Sequence, residues 1–183
     1  HYQYERKLVT YGSSPDYLLI GHAVATGIEQ GMLLGYDRKA VALEAARKEL
    51  NNDEMFSRAK QALDAMPEWV WAVTKPVAED KLEVEYRGHT LVGKPDAWYV
   101  EYEGDEAIGV KVLEFKTCSE KYSSGIMRKL DTYERWGLQP VRYCGMLRLK
   151  YAWLADLPMY RQHIVLSTYG GAGEGLECIV TGT

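Results

Sequence analysis

The chain has 183 residues, of which 46% are hydrophobic and 26% charged, and its formal net charge is −4. This length and composition predict a single domain over residues 1–183 with a substantial core, and they exclude a low-complexity chain. No apolar run approaches the length of a membrane span, and three cysteines are too few for an iron–sulfur cluster held by four thiolates of this chain.

The N-terminal part of the chain is predicted to be helical. The spacing of apolar residues and the cap residues predict three helices. The first covers Tyr17–Leu34. The second begins at an Asp37 N-cap and runs to about Leu50, and the third begins at an Asp53 N-cap and stops at Pro67. Phe56, Ala59, Leu63 and Met66 share one face of the third helix. A short apolar stretch follows at residues 69–73.

The rest of the chain mixes strands and helices. Strands are predicted over Lys81–Tyr86, Thr90–Val92, Ala97–Tyr102, Gly109–Lys116, Gln162–Tyr169 and Leu176–Val180. Two helices are predicted between the fourth and fifth strands, one around Ile126 and Leu130 that ends at Gly137, and one from Pro140 to about Lys150. This order predicts an α/β (mixed α+β) fold with a central mixed β-sheet flanked by helices.

One charged pair lies within an apolar, strand-like segment. Glu114 and Lys116 are separated by one residue in Val112-Leu113-Glu114-Phe115-Lys116-Thr117. Residues i and i+2 of a strand share a face, so both charged side chains point the same way while Phe115 points to the opposite layer. Three other acidic residues stand two positions before a lysine, but only this pair has strand-like apolar flanks.

A second carboxylate precedes the neighbouring strand. Asp96 ends the motif Gly93-Lys94-Pro95-Asp96, and Pro95 favours a strand start, edge or bend because it cannot donate to a β-ladder. The strands on either side of the turn at residues 103–106 form a hairpin, in which Asp96 and Lys116 are neighbours near the open end. Two carboxylates and a lysine suit metal-dependent phosphodiester hydrolysis, because carboxylates bind hard divalent cations and the lysine can stabilise the attacking oxygen.

Basic residues are concentrated in one segment. Residues 121–150 carry seven basic and two acidic side chains, whereas residues 1–120 carry 14 basic and 21 acidic. This asymmetry indicates either a polyanion-binding surface or a solvated helix face. Gln139 and Tyr143 lie in this segment on one helical face, and as a pair they also fit a buried tyrosine with a capping glutamine.

Three motifs, in their order and spacing, resemble those of the PD-(D/E)xK nucleases, in the RecB-like and lambda-type exonuclease branch. They are Gly93-Lys94-Pro95-Asp96, Glu114-Phe115-Lys116-Thr117 and Gln139-Pro140-Val141-Arg142-Tyr143. The resemblance covers about residues 17–150 and implies a restriction-endonuclease-like core. By this resemblance Asp96 and Glu114 are expected to bind metal, and Lys116 is expected to be catalytic.

The resemblance also implies that DNA lies beside the third motif. In this branch the Gln-x-x-x-Tyr motif follows on a helix near the DNA, which assigns that position to Gln139 and Tyr143. Basic residues of the same segment are expected to contact the DNA backbone, namely Arg128, Arg135 and Arg142.

An upstream motif of the family is only partly present. Many members have a helix that reads Gly-x-x-x-His-x-x-x-Glu, whose histidine can join the metal shell. Here Gly21 and Glu29 keep their positions, but Ala25 stands at the histidine position. His22 shares nearly the same face as Glu29, so it either replaces the missing ligand or is an ordinary histidine at a helix start. Glu29 is expected to have a polar partner, because its helix face is largely apolar.

The expected function is a metal-dependent DNA nuclease, with an exonuclease in DNA recombination, repair or processing as the first choice. One or two Mg²⁺ or Mn²⁺ ions would be held by Asp96, Glu114, the Phe115 backbone carbonyl and Glu29, with His22 as a further candidate. Lambda-type members act as rings, which implies a homo-oligomer or a partner recombination protein in addition to DNA. The protein is expected to be intracellular and to have no membrane partner. Its expected source is a phage or mobile element.

Other functions stay open at this point. A nuclease-fold DNA-binding or scaffold protein could use the basic face without catalysis, and a sequence-specific endonuclease could use the same acids. In an unrelated small-molecule or protein-binding domain, Glu114 and Lys116 would be a surface salt bridge. The remaining histidines, His1, His89 and His163, have no motif context and are expected to be structural or surface residues.

Overall fold

The computed structural model describes residues 16–34, 36–135 and 137–179. These residues form six α-helices, seven β-strands and one 3₁₀ turn. The helices are α1 (Asp16–Leu33), α2 (Arg38–Glu49), α3 (Asp53–Asp64), α4 (Glu68–Ala72), α5 (Ser123–Arg135) and α6 (Leu138–Lys150), with the 3₁₀ turn at Ala152–Leu154. The strands are β1 (Val77–Ala78), β2 (Leu82–Tyr86), β3 (His89–Gly93), β4 (Ala97–Glu103), β5 (Glu106–Cys118), β6 (Met159–Ser167) and β7 (Ala172–Ile179).

Five of these strands form one mixed sheet in the order β1–β4–β5–β6–β7. Strands β5 and β6 are parallel, and the other neighbours are antiparallel. A parallel pair needs a long crossover connection, which α5 and α6 supply between β5 and β6. Strands β2 and β3 form a separate antiparallel hairpin.

Helices cover both faces of the five-stranded sheet. On one face, α1 to α4 bury an apolar cluster against the sheet, which contributes Leu113 and Ile164 among others. On the other face, α6 packs over Val110 and Val112 of β5, and α5 packs over Val165 of β6. Because successive strand residues point to opposite faces, β5 contributes to the core on both sides of the sheet.

The predicted mixed α/β fold, with a central mixed sheet flanked by helices, is confirmed. The apolar stretch at residues 69–73 lies largely in the short helix α4, and the last two strands begin earlier than predicted, at Met159 and Ala172. Val180, the predicted end of the last strand, lies outside the described residues, as does His1. Within the described ranges, no helix combines the length and apolar character needed to cross a membrane.

Side-chain caps determine where α2 and α3 begin. Asp37 caps α2 as predicted, because its side chain accepts a hydrogen bond from a backbone N–H of the first turn. The predicted Asp53 cap of α3 is wrong. Asn52 caps this helix instead, and its Oδ1 accepts from the backbone N–H groups of Glu54 and Met55 at 2.8 and 3.1 Å. Asn and Asp are about equally good N-cap residues. The sequence therefore does not reveal which of the adjacent Asn52 and Asp53 caps the helix.

The β2–β3 hairpin is a compact unit that packs on α6. Its two turn residues, Arg87 and Gly88, have positive φ angles of 50° and 77°, as in the type I′ turns that match the twist of two-residue hairpins. Leu82 and Val84 of β2 enter the same apolar cluster as the buried residues of α6. The hairpin therefore carries Gly93, its last residue, to the side of the sheet that α6 covers.

Candidate metal and DNA site

The β4–β5 hairpin brings Asp96 next to the strand that carries Glu114. Ala97 pairs with Leu113 in the antiparallel register, so Asp96 lies one residue before the paired segment and beside Glu114. Oδ2 of Asp96 accepts a hydrogen bond from the backbone N–H of Phe115 at 2.7 Å. This bond fixes the first carboxylate against the backbone that separates the second carboxylate from the lysine.

Glu114 and Lys116 lie on one face of β5, as their spacing predicts, and in the structure they also form an ion pair. Nζ of Lys116 lies 3.2 Å from Oε2 of Glu114, and the side chains are 34% and 2% exposed respectively. The other oxygen of Glu114, Oε1, is buried and has no hydrogen-bond partner among the described residues. A buried carboxylate oxygen is costly unless something binds it, so Oε1 is a strong candidate to accept a ligand.

The charges of these three side chains are coupled. Burial, with the charge of Asp96 as the second cause, raises the pKa of Glu114 to about 7. Burial also raises the pKa of Asp96, although Lys116 and the Phe115 N–H oppose the shift. Burial by itself would lower the pKa of Lys116, but the charges of Glu114 and Asp96 outweigh it and raise that pKa. Two buried acids therefore share one protonated lysine, which leaves negative charge for a further cation to balance.

A small cavity of about 50 Å³ opens beside Asp96. A cavity of this volume can hold a few water molecules. Glu29 on α1 also lines this cavity, so the structure brings the glutamate of the upstream helix next to Asp96. Ala25 and Ile28 of the same helix, with Glu79 and Phe115, form the rest of the lining. Glu114 is not among the lining residues, so Asp96 is the link between the cavity and the Glu114–Lys116 pair.

The residues present fit a hard divalent cation. Within the described part of the chain, no three acidic, histidine or cysteine side chains are close enough to form a metal site alone. However, Mg²⁺ usually binds through one or two carboxylates while water and substrate phosphate complete its octahedron. Asp96 and Glu114 supply such a pair, since Glu114 has a buried oxygen without a partner and a pKa that the charge of Asp96 helps to raise.

His22 lies away from this pair of carboxylates. Its side chain is 68% exposed, and its Nε2 is 3.4 Å from a carboxylate oxygen of Glu49 on α2. His22 and Glu29 do share a helix face, but seven residues separate them by about 10 Å along the helix axis. The structure therefore brings Glu29, and not His22, to the cavity beside Asp96.

A groove of about 880 Å³ runs beside α6 and the Gly93–Asp96 motif. Three basic side chains line it, those of Lys81, Lys94 and Arg142. Val92 and Leu138, which are 55% and 74% exposed, add apolar surface to its walls. Positive charge combined with exposed apolar surface suits a nucleic acid strand, which offers both phosphates and base faces.

Gln139 and Tyr143 lie on one face of α6, as their spacing predicts, and in the structure their side chains contact each other. Nε2 of Gln139 donates a hydrogen bond to Oη of Tyr143 at 2.6 Å. The Tyr143 ring is buried against Gly93, where an added Cβ would lie 2.7 Å from the ring. α6 is therefore packed directly on the backbone of the motif that carries Asp96, and both Gln139 and Tyr143 line the groove.

The other predicted DNA contacts are on α5. Arg128 and Arg135 are exposed, and Nε of Arg135 lies 3.1 Å from a carboxylate oxygen of Asp131 one turn earlier. Neither arginine lines the groove, whereas Arg142 does. The structure therefore groups Arg142 with Gln139 and Tyr143 and leaves the two α5 arginines on a separate helix.

The sequence motifs assigned no site role to Glu79 or to Lys94. Glu79 follows β1 and lines the cavity beside Asp96, and its carboxylate forms an ion pair with Lys94, which lines the groove. Glu79 is one of the three other acidic residues that stand two positions before a lysine, and in the sequence this lysine is Lys81. The observed partner lies fifteen residues further along the chain, and only the pairing of β1 with β4 brings the two together.

His163 is a further residue near the site that had no sequence signal. It is buried, and it lies opposite Glu114 in the parallel β5–β6 register. Burial, with the charges of Arg161 and Lys116 as further causes, lowers the pKa of His163 to about 4. The imidazole is therefore neutral at pH 7 and does not balance the charge of the two carboxylates.

No protein-family model matches this sequence, and no curated protein matches it significantly. The side chains at the site and the motifs they form therefore carry the functional information in this chain. The most specific of these features is the buried pair of acids with Lys116 beside it.

Proposed function

We propose that this protein is a Mg²⁺- or Mn²⁺-dependent DNA nuclease that hydrolyses phosphodiester bonds, with Asp96, Glu114 and Lys116 as its catalytic residues. The observation that carries the proposal is the buried Glu114 carboxylate. One of its oxygens pairs with Lys116, and the other has no partner among the described residues. Buried polar atoms in a purely structural ion pair are normally satisfied, so this arrangement favours a metal-binding acid.

Each of these side chains has a distinct task in the proposed reaction. Asp96 and Glu114, with the Phe115 carbonyl and Glu29 nearby, would hold the cation, which when bound lowers the pKa of a water and offsets charge on the phosphate. Lys116 keeps its proton, because the two carboxylates raise its pKa. It therefore acts as a positive charge beside the phosphate and stabilises the negative charge that grows there during attack.

DNA is the proposed substrate, and the groove beside α6 supports this choice. Lys94 and Arg142 give it positive charge next to the Asp96 motif, and Gln139 adds a polar side chain. Action from DNA ends, in recombination, repair or processing, is the first choice. Three parts of the proposal rest on the resemblance of the three motifs to the nuclease family. They are the action from DNA ends, the restriction-endonuclease-like core over residues 17–150, and a homo-oligomer or partner recombination protein.

Digestion of end-labelled linear DNA over time tests the proposal. The protein is expected to release products in Mg²⁺ or Mn²⁺ and none in chelator. Asp96→Asn and Lys116→Met should each lower the cleavage rate by about 10²-fold or more, as other losses from electrostatic sites do, while the circular dichroism spectrum is unchanged. Lys111→Met removes a lysine of the same strand outside the site and should keep activity. Undiminished cleavage by both site variants would refute the assignment.

Closed circular DNA, offered in parallel, separates the remaining activities. An exonuclease degrades the linear DNA and leaves the closed circle intact, whereas an endonuclease also cuts the circle. Binding of DNA without cleavage in any metal would instead identify a nuclease-fold DNA-binding or scaffold protein.

A further inference from the structure

The pairing of β1 with β4 places a third acidic residue beside Asp96. Ala78 pairs with Ala97, and the backbone N–H of the next residue, Glu79, donates to the Asp96 carbonyl oxygen at 3.1 Å. Glu79 has a left-handed backbone with φ 53°, which residues other than glycine seldom adopt and which is concentrated at functional sites. Glu79 lines the cavity that Asp96 and Glu29 also line.

The partner of Glu79 is Lys94, two residues before Asp96. The Lys94 ammonium forms an ion pair with the Glu79 carboxylate, and the two side chains are 54% and 23% exposed. The hydrogen bond to Glu79, with smaller contributions from Glu29 and Asp96, raises the pKa of Lys94. Ion pairs this exposed contribute little to stability, so folding alone does not account for a strained residue held in this position.

The Glu79–Lys94 pair spans two neighbouring spaces. Glu79 lines the small cavity, and Lys94 lines the groove together with Arg142 and Gln139. An ammonium group has three N–H donors, so Lys94 can keep its bond to Glu79 and donate to a second acceptor at the same time. The groove side is where a second acceptor, a phosphate oxygen, can reach it.

We propose that Lys94 binds a phosphate of the DNA strand next to the scissile one, and that Glu79 is a positioning residue that holds the Lys94 ammonium at the mouth of the groove. The inference rests on the proposed function, because it requires DNA in the groove. It assigns to the pair the task of aligning the strand with Asp96, which follows Lys94 by only two residues.

Two roles for Glu79 predict effects of opposite sign on DNA binding. If its carboxylate only adds negative charge near the DNA, Glu79→Gln should strengthen binding, because a repulsive charge is removed. If it positions Lys94, the same substitution should weaken binding although it removes a negative charge. The sign of the change therefore distinguishes positioning from general electrostatics.

Fluorescence anisotropy of labelled single- and double-stranded oligonucleotides in chelator, over a range of salt concentrations, measures these effects without cleavage. Lys94→Met should weaken binding about tenfold and reduce the slope of the salt dependence by about one. Lys94→Arg keeps the charge and should keep the slope. Glu79→Gln should weaken binding about two- to tenfold. The double variant should bind no more weakly than Lys94→Met, because Glu79 acts through Lys94.

The Glu101–Lys111 ion pair is a matched control. Its Nζ–Oε1 distance is 2.6 Å, and the pair joins β4 and β5 outside the cavity and the groove. Glu101→Gln and Lys111→Met should therefore alter binding only through net charge, and thermal melting checks that every variant is folded.

Two results would overturn the inference. One is binding by Glu79→Gln as tight as, or tighter than, that of the unmodified protein, and the other is a Lys94→Met variant that behaves as Lys111→Met does. Metal-dependent cleavage by the unmodified protein would still support the proposed function in either case. Failure of the unmodified protein both to bind DNA and to cleave it, in chelator and in Mg²⁺ or Mn²⁺ alike, would remove both.

Discussion

At the scale of single residues, Glu114 gives the metal-free protein a specific dependence on pH. Its pKa in the folded protein is about 7, above the ordinary value of 4.5. Between these values the folded state binds more protons than the unfolded state, so the free energy of unfolding falls as the pH rises from about 4.5 to 7 and levels off above. A structural acid with a satisfied ion pair would have a depressed pKa and the opposite dependence.

Glu114→Gln should remove this dependence. In chelator at pH 8 the variant should be more stable than the unmodified protein by about 1 to 3 kcal/mol. The rise in the pKa of Glu114 from 4.5 to about 7 corresponds to roughly 3 kcal/mol, and the lost Lys116 pair offsets part of it. At pH 4.5 the two should be nearly equal. Urea unfolding at both pH values measures the difference.

The same unfolding measurement with added metal tests whether Glu114 is a metal ligand. Mg²⁺ or Mn²⁺ should stabilise the unmodified protein at pH 8 and leave Glu114→Gln almost unaffected, because a ligand that binds the folded state raises its stability. Equal stabilisation of both proteins by the metal would argue against Glu114 as a ligand.

At the scale of secondary-structure elements, local signals predicted the elements well and their partners poorly. The β4–β5 hairpin and its charged pair follow from alternation, a turn and Pro95, which all lie within one short stretch. The position of Glu79 beside Asp96 depends on β1, a strand of two residues, which is too short to show any alternation. Its pairing with β4 is set by tertiary packing, and so neither Glu79 nor its contact with Lys94 was predicted.

The packing of α6 on β3 is a contact between elements that can be tested with glycine substitutions. A Cβ at Gly93 would meet the Tyr143 ring at 2.7 Å and the Met146 sulfur at 3.1 Å. Gly93→Ala should therefore lower the free energy of unfolding by about 1 to 3 kcal/mol, as overpacking does. It should also weaken cleavage, because it displaces the helix that carries Gln139 and Tyr143.

Gly145 on the same helix is the control for this substitution. It is exposed and has open space around it, so Gly145→Ala should stabilise the protein by about 1 kcal/mol through helix propensity alone. Chemical denaturation of both variants measures the two changes. A neutral Gly93→Ala variant would show that α6 does not pack on the Asp96 motif as closely as described.

At the scale of the whole molecule, the net charge of −4 hides an uneven distribution. Counted along the sequence, residues 121–150 form one basic segment. In the fold, most of these residues belong to two different helices, α5 and α6. Arg142 on α6 faces the groove with Lys81 and Lys94, two basic residues from outside that segment. Counting charges along the sequence could predict a basic surface, but it could not predict this group, because Arg142 is more than forty positions from both lysines.

Charge reversal at two arginines tests which part of the basic segment meets DNA. Arg142→Glu should weaken DNA binding and reduce the slope of its salt dependence by about one or more, because a phosphate contact is lost. Arg135→Glu changes the net charge equally, but Arg135 lies on α5 beside Asp131, outside the groove. It should therefore have a clearly smaller effect in the same anisotropy titration. Equal losses in the two variants would mean that DNA responds to the overall charge and that the groove beside α6 has no special part in binding.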